Sequence, residues 1–350
     1  MVNHLKINKI AESQNEYKIW ETLLDDYIIG IGWTNDNTLI AALTSAGNFA
    51  VLNHQLQTKQ HDIKAHTNGA ISLAVSPKEN NAVTTGQDGF MRLWDIESGK
   101  LLKEVKMQTL WVEHATWSFD GKYFAVSAGN TLKVFNKEGI LIFEYDKHES
   151  TVSGIEWRSD SMAFATACYG GVRLFEIDKQ QPYKFLEWKN SMLSLSWSPD
   201  DQYIACGTQD SRVHFFPLPY TDGADFEMNG YKGKVKILNW TNDAKYFLTN
   251  CWDEIVVWKF AGKSPQGQSP ITLNGHLSKI TQAEFQNRNT FLASGDDSGM
   301  VLFFDVEIGD KFITGIKLQN PISKIEWSAD DNLLAVGTAH GEIIIMESPA

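Results

Sequence analysis

Residues 116–145 read TWSFDGKYFAVSAGNTLKVFNKEGILIFEY. Three short runs, Tyr123–Ser127, Leu132–Phe135 and Ile140–Tyr145, alternate at period two and are rich in β-branched and aromatic residues. Turn residues separate them: Ser118, Asp120 and Gly121 before the first, Gly129-Asn130 before the second and Gly139 before the third. That combination specifies antiparallel strands joined by tight turns. Nowhere in the chain does a 3.6-residue apolar period persist for three turns, so the expected class is all-β.

Working outward, the start of this stretch recurs. IGWTND ends at Asp36, EWRSD spans 156–160, SWSPDD 196–201, NWTND 239–243 and EWSADD 326–331, with degenerate copies AVSPKE at 74–79 and EFQNRN at 284–289. The anchors are Trp33, Val75, Trp117, Trp157, Trp197, Trp240, Phe285 and Trp327, spaced 40 to 45 residues apart. A period near 42 over eight copies defines a repeat architecture, whose units bury their faces only by stacking. The repeats run approximately 24–60, 61–105, 106–146, 147–186, 187–228, 229–270, 271–315 and 316–350, within one domain over 1–350. The eighth copy stops after its third strand, Ile343–Met346, while an orphan strand at 17–23 precedes the first.

These units resemble WD repeats, the WD40 family. The second copy carries the resemblance best, with Ala65-His66, Thr84, Asp88-Gly89 and Leu93-Trp94-Asp95; the seventh follows with Gly275-His276, Ser294-Gly295 and Phe303-Phe304-Asp305. The resemblance covers roughly residues 20–346 and implies a single closed propeller of eight four-stranded blades, or alternatively seven. It also implies that the N-terminal strand completes the last blade, which leaves no unpaired edge there. From the same resemblance, copy two is expected to hold a structural tetrad in which His66 bridges Thr84 and Asp88 and the Thr84 hydroxyl meets the Trp94 indole N–H. Elsewhere the tetrad pattern departs: Ser298 stands where copy two has Asp88, and Cys206 where it has Thr84.

Composition bounds the rest. Of 350 residues, 43% are hydrophobic and 21% charged, as in packed domains, and the net charge is −12. An acidic protein repels phosphate backbones, so nucleic acid is disfavoured as a partner. Cys168, Cys206 and Cys251 are too few for a disulfide framework, and each falls in the second strand of its copy among small or apolar neighbours. The N-terminus lacks a basic start followed by an apolar core, and no apolar run approaches membrane-spanning length. The expected setting is the cytoplasm, or the nucleus in a eukaryotic source, with the chain monomeric by itself.

No phosphate loop, GxSxG elbow, CxxC pair or HExxH occurs, and no catalytic, metal or cofactor constellation is expected. The resemblance therefore implies a non-enzymatic platform binding a protein or peptide at the top of the propeller. The alternatives are a propeller enzyme with a central-channel site, lactonase- or dehydrogenase-like, and a reader of basic peptides. In propellers of this kind the segments leading into first strands and the second-to-third-strand turns share one end. Here those positions carry Tyr27, Trp111, Tyr169, Met192, Trp252 and His340. Trp111, Tyr169 and Trp252 are expected to rim a protein-binding surface, with Lys234 and Lys279 as charged contacts; the competing outcome is that these side chains fold inward as a plug. The long connections 178–190, 217–233 and 260–275 are secondary candidates for partner choice.

Overall fold

The computed structural model describes residues 9–10, 17–260 and 264–349; within the 260–275 connection, 261–263 lie outside the described residues. The described residues form strands, turns and loops without a helix. The turn after five of the eight anchors has a local cause. A Ser or Thr hydroxyl donates to the Asp two residues on: Thr34 to Asp36 at 2.6 Å, Ser118 to Asp120 at 2.8 Å, Ser198 to Asp200 at 2.6 Å, Thr241 to Asp243 at 2.8 Å and Ser328 to Asp330 at 2.6 Å. The same oxygen then accepts the first amide of the next strand, as Ser118 does from Tyr123 at 3.0 Å, so the small hydroxyl residue closes the turn.

The strands assemble into seven hydrogen-bonded sheets: five of four strands, one of five and one of six. This corrects the expectation of eight separate sheets and matches the seven-blade alternative. The reason lies in copies four and five. Ala163–Glu176 and Lys184–Trp197 are 14 residues each and run through what are separate strands elsewhere. Ala163–Glu176 pairs first with Gly154–Trp157, then through Tyr169–Leu174 with Lys184–Ser191. Lys184–Trp197 continues through Met192–Trp197 to pair with Tyr203–Thr208, so no break separates copy four from copy five. Within Ala163–Glu176 the chain still doubles back: Phe164 stacks on Phe175 at 5.1 Å, and Ile177 N–H donates to the Met162 carbonyl at 3.0 Å. Copy three has the same ring pair, Phe124 on Phe135 at 5.1 Å, across an ordinary ladder.

The chain divides into two compact units, a central one of Ile29–Val235 and a discontinuous one of Met1–Ile28 with Lys236–Ala350. In the discontinuous unit, Lys18–Leu23 pairs antiparallel with Glu342–Glu347, Trp20 opposite Ile345 and Leu23 opposite Glu342. A further short strand, Lys9–Ile10, lies parallel to Thr314–Lys317 as a fifth strand of the copy-seven sheet, an addition that the repeat pattern does not announce.

Each unit has its own core. In the central unit, successive copies interlock where Trp117 Nε1–H donates to the Ala74 carbonyl at 3.1 Å and Trp157 Nε1–H to the Thr116 carbonyl at 3.3 Å. The discontinuous unit repeats this with Trp327 donating to the Glu284 carbonyl at 3.3 Å. Trp117, Trp157 and Trp327 are buried, and such rings contribute about 1.5–3 kcal/mol each through burial. First strands approach closely enough to select residue size. A Cβ on Gly30 would lie 2.6 Å from Leu73 Cβ, and one on Gly32 would lie 2.5 Å from Val75 Cγ2.

Candidate protein-binding surface

Two kinds of special side chain emerge: buried polar groups that hold the sheets, and exposed aromatics on the turns. In copy two, His66 is fully buried; Nε2 lies 2.9 Å from Thr84 Oγ1 and Nδ1 3.0 Å from Asp88 Oδ1. A carboxylate only accepts, so Nδ1–H donates to Asp88 and Nε2 accepts the Thr84 hydroxyl, which in turn accepts Trp94 Nε1–H at 2.9 Å. Arg92 donates to the other Asp88 oxygen at 2.9 Å. Burial pushes the His66 pKa down, against the opposing pull of Asp88.

The structure adds two further imidazoles at the same repeat position, nine residues before the anchor. His148 donates from Nδ1 to the Asn130 carbonyl at 3.0 Å and accepts the Thr166 hydroxyl at 2.8 Å. Burial holds it down at about 4. His276 meets Ser294 at 2.7 Å and Asp296 at 2.8 Å. This corrects the sequence alignment at copy seven. The acidic partner of His276 is Asp296, two residues before the position aligned with Asp88, and Ser298 instead donates to Asp296 at 2.7 Å. Burial alone would raise Asp296, but the hydrogen bonds from His276 and Ser298 hold it at about 2. A shared spacing could have found all three copies: a hydroxyl residue, Thr84, Thr166 or Ser294, follows each His by 18. In copy five Trp188 and Cys206 occupy those two places, and an imidazole comes instead from His214, stacked on Trp188 with ring centroids 3.9 Å apart.

The aromatics on the turns behave differently. In the central unit Trp111 is 57% exposed and Tyr169 55%, with Leu110 beside Trp111 also exposed. The two turns are linked by a series of side-chain and backbone contacts. Thr109 Oγ1 donates to the Trp111 carbonyl at 2.9 Å, Thr109 packs against the Gly129 turn, Gly129 O accepts Val152 N–H at 2.9 Å, and Ser150 Oγ accepts Tyr169 N–H at 2.9 Å. Lys234 is exposed. Met192 is not part of this surface. It is 2% exposed and packs with Leu186, Leu195 and Cys206, a correction that follows from its place in the unbroken strand Lys184–Trp197, where alternation turns it into the sheet.

In the discontinuous unit Trp252 is 53% exposed and Tyr27 41%, and His340 and Lys279 are exposed as well. Trp252 sits in the two-residue turn between Cys251 and Glu254 with φ of +61°, a left-handed conformation that costs a bulky residue about 1–3 kcal/mol. Its carbonyl accepts Ile280 N–H at 2.7 Å, and Asp297 N–H donates to the Lys279 carbonyl at 3.0 Å. Desolvation and the Asp297 charge raise the Tyr27 phenol. The His340-Gly341 turn closes the patch, because Leu24 N–H donates to the Gly341 carbonyl at 2.9 Å and a Cβ on Gly341 would strike the Leu24 and Asp26 carbonyls. Trp252, Lys279, Asp297, Tyr27 and His340 thus lie along one connected set of turns in this unit.

Comparison with known proteins agrees with this geometry. A family model described as WD domain, G-beta repeat matches residues 57–95, 180–216 and 267–305. Actin-interacting protein 1 of Caenorhabditis elegans is 19% identical over 329 residues, covering 90% of this chain and 52% of that protein. The chain therefore spans about half the length of that curated relative. Among solved structures, Chaetomium thermophilum Sqt1 bound to the N-terminus of the ribosomal protein L10 superposes with a TM-score of 0.82 at 16% identity, covering 95% of this chain and 99% of that one. The C-terminal WD40 domain of Sif2 superposes with a TM-score of 0.78 at 15% identity, covering 98% and 99%. The chain carries WD repeats over these segments and has the all-β propeller fold.

Proposed function

We propose that the protein is a non-catalytic interaction platform whose turn-borne aromatics hold a partner protein or peptide. One observation carries the reading. Trp111, Tyr169, Trp252 and Tyr27 are exposed by 41–57%, whereas the repeat-anchor tryptophans Trp33, Trp117, Trp157, Trp197, Trp240 and Trp327 are all buried. Exposed aromatics among polar neighbours are the usual make-up of an interface hot spot. That Trp252 occupies a conformation suited to glycine supports a role beyond packing. A solved Sqt1 structure with a ribosomal-protein N-terminus bound supports peptide recognition by this fold.

A specific observation favours basic segments as partners. Around Tyr27 in the discontinuous unit stand the exposed carboxylates Asp25, Asp26 and Asp297, and the chain as a whole carries −12. Positive side chains are drawn to such a surface and gain further from aromatic faces. The test is affinity capture from the native cell with wild type and with the double variant Trp111→Ala, Trp252→Ala, followed by mass spectrometry at low and high salt. Loss of specific partners from the folded double variant is expected, with salt-sensitive recovery of basic partners. The same partners in both captures would move binding away from these turns, to the 217–233 or 260–275 connections.

A further inference from the structure

A cleft of about 500 Å³ lies in the central unit, at the opposite end of the copy-four strands from Tyr169. Its volume falls within the range of small-ligand pockets. Arg158, Asp160, Tyr183, Lys184, Trp197 and Tyr220 line it, together with the apolar Leu174, Leu218 and Pro219.

The charged groups on this wall and the Tyr220 hydroxyl can be accounted for one by one. Arg158 Nη2 donates to Asp160 at 2.5 Å, so those charges satisfy each other. Asp201, also on the wall, accepts from Ser159 N–H at 3.2 Å and from the Ser159 hydroxyl at 2.7 Å. The Tyr220 hydroxyl donates to Asp225 at 3.2 Å. One group remains. The Lys184 ammonium lies 5.3 Å from the centroid of the Tyr220 ring and forms no ion pair with a described residue. The Trp197 ring closes the wall at 7% exposure, with its indole nitrogen buried beneath the cleft surface. The group that remains, Lys184, is a cation, the other charges on the wall (Arg158, Asp160 and Asp201) are engaged, and the remainder is aromatic or aliphatic.

We infer that this cleft binds a carboxylate carried on an aromatic body, the acid seated at Lys184 and the ring against Tyr183 and Tyr220. Either a free aromatic acid or an acidic-aromatic segment of a protein supplies that chemistry. A charge-assisted contact to Lys184 fixes the acid, and the tyrosine faces cover the ring. This site is independent of the turn-borne surface, so either can fail alone.

The experiment uses the full chain and calorimetric titration with N-acetyl-tryptophan, with its neutral amide, and with the capped tripeptide acetyl-Asp-Trp-Asp-amide. Binding of the free acid, the tripeptide or both is expected, with the neutral amide at least tenfold weaker. Binding of the acid alone assigns a small-molecule ligand; binding of the tripeptide alone assigns a protein segment. Lys184→Gln is expected to weaken binding at least tenfold and Lys184→Arg to retain it, while both unfold at the wild-type midpoint because Lys184 is exposed. Tyr220→Ala is expected to weaken every probe that binds. No binding of either acid, equal binding of acid and amide, or unchanged affinity in folded Lys184→Gln would overturn the assignment.

Discussion

Replacing His66 by alanine removes more than a ring. In the wild-type chain the imidazole joins Thr84 at 2.9 Å and Asp88 at 3.0 Å, and all three sit where little water reaches. After His66→Ala, Asp88 keeps Arg92 and the Thr84 oxygen keeps the Trp94 indole, but the Thr84 hydroxyl proton loses its acceptor. One stranded buried group costs about 1–3 kcal/mol, and the lost packing of a fully buried ring adds to it, so about 3 kcal/mol is expected. At about 2.1 cal/mol/K per residue, unfolding of 350 residues carries roughly 0.7 kcal/mol/K, and that cost lowers the midpoint by about 4 °C. His54→Ala is the control. Its Nε2 reaches only the Asn37 carbonyl at a part-exposed site, and about 1 kcal/mol or 1–2 °C is expected. The packing claim has its own check at Gly86, where a Cβ would lie 2.3 Å from His66 Nδ1. Gly86→Ala alone is expected to destabilise, and the His66→Ala, Gly86→Ala double variant to lose less than the sum, since the methyl enters space that the ring vacated. Calorimetry or denaturant titration reads both. Equal midpoints for His66→Ala and His54→Ala, or strict additivity at Gly86, would refute the reasoning.

Three further outcomes are expected. Burial holds His148 at about 4 in the folded chain, against 6.5 as the ordinary value, so the unfolded chain binds the extra proton between those pH values; stability falls by roughly 3 kcal/mol as pH drops from 6.5 to 4, and His148→Gln flattens denaturation midpoints over that window. Desolvation pushes Glu156 up to about 8, so the folded chain holds a proton that the unfolded chain releases above about 4.5; stability falls as pH rises through that window, and Glu156→Gln should gain on wild type from pH 5 to pH 8.5, a gain that denaturant titrations at the two pH values will show or exclude. Trp252→Gly relieves the left-handed backbone and should raise the unfolding midpoint, by about 1 kcal/mol, while weakening partner capture; a lowered midpoint would mean that the ring packs rather than binds.

Much of the fold was legible along the chain because repeat proteins write their architecture locally. The Trp-x-x-Asp turns need only a hydroxyl and a carboxylate two residues apart, as the hydrogen bonds from Ser118 to Asp120 and Ser328 to Asp330 show. The candidate surface was less legible. Trp252, in a second-to-third-strand turn, and Met192, in a segment leading into a first strand, are expected at the same end, yet one is 53% exposed and the other 2%. Nothing within a few residues of either distinguishes them. The difference arises because Met192 lies in a strand that runs on without a break from Lys184 to Trp197.

The sequence by itself determined the strand class, the period, the anchors and the orphan strand at 17–23, since each rests on side-chain alternation and turn chemistry within about ten residues. Tertiary structure alone decided which imidazoles are buried and what they touch. His276 takes Asp296, because the position aligned with Asp88 holds Ser298 and the strands bring Asp296, 20 residues away, to the imidazole. It also decided that copies four and five merge into one sheet, that Lys9–Ile10 joins the copy-seven sheet, and that Tyr183, Lys184, Trp197 and Tyr220 line one cleft. These outcomes depend on distances between residues remote in sequence, and a linear pattern holds no record of such distances.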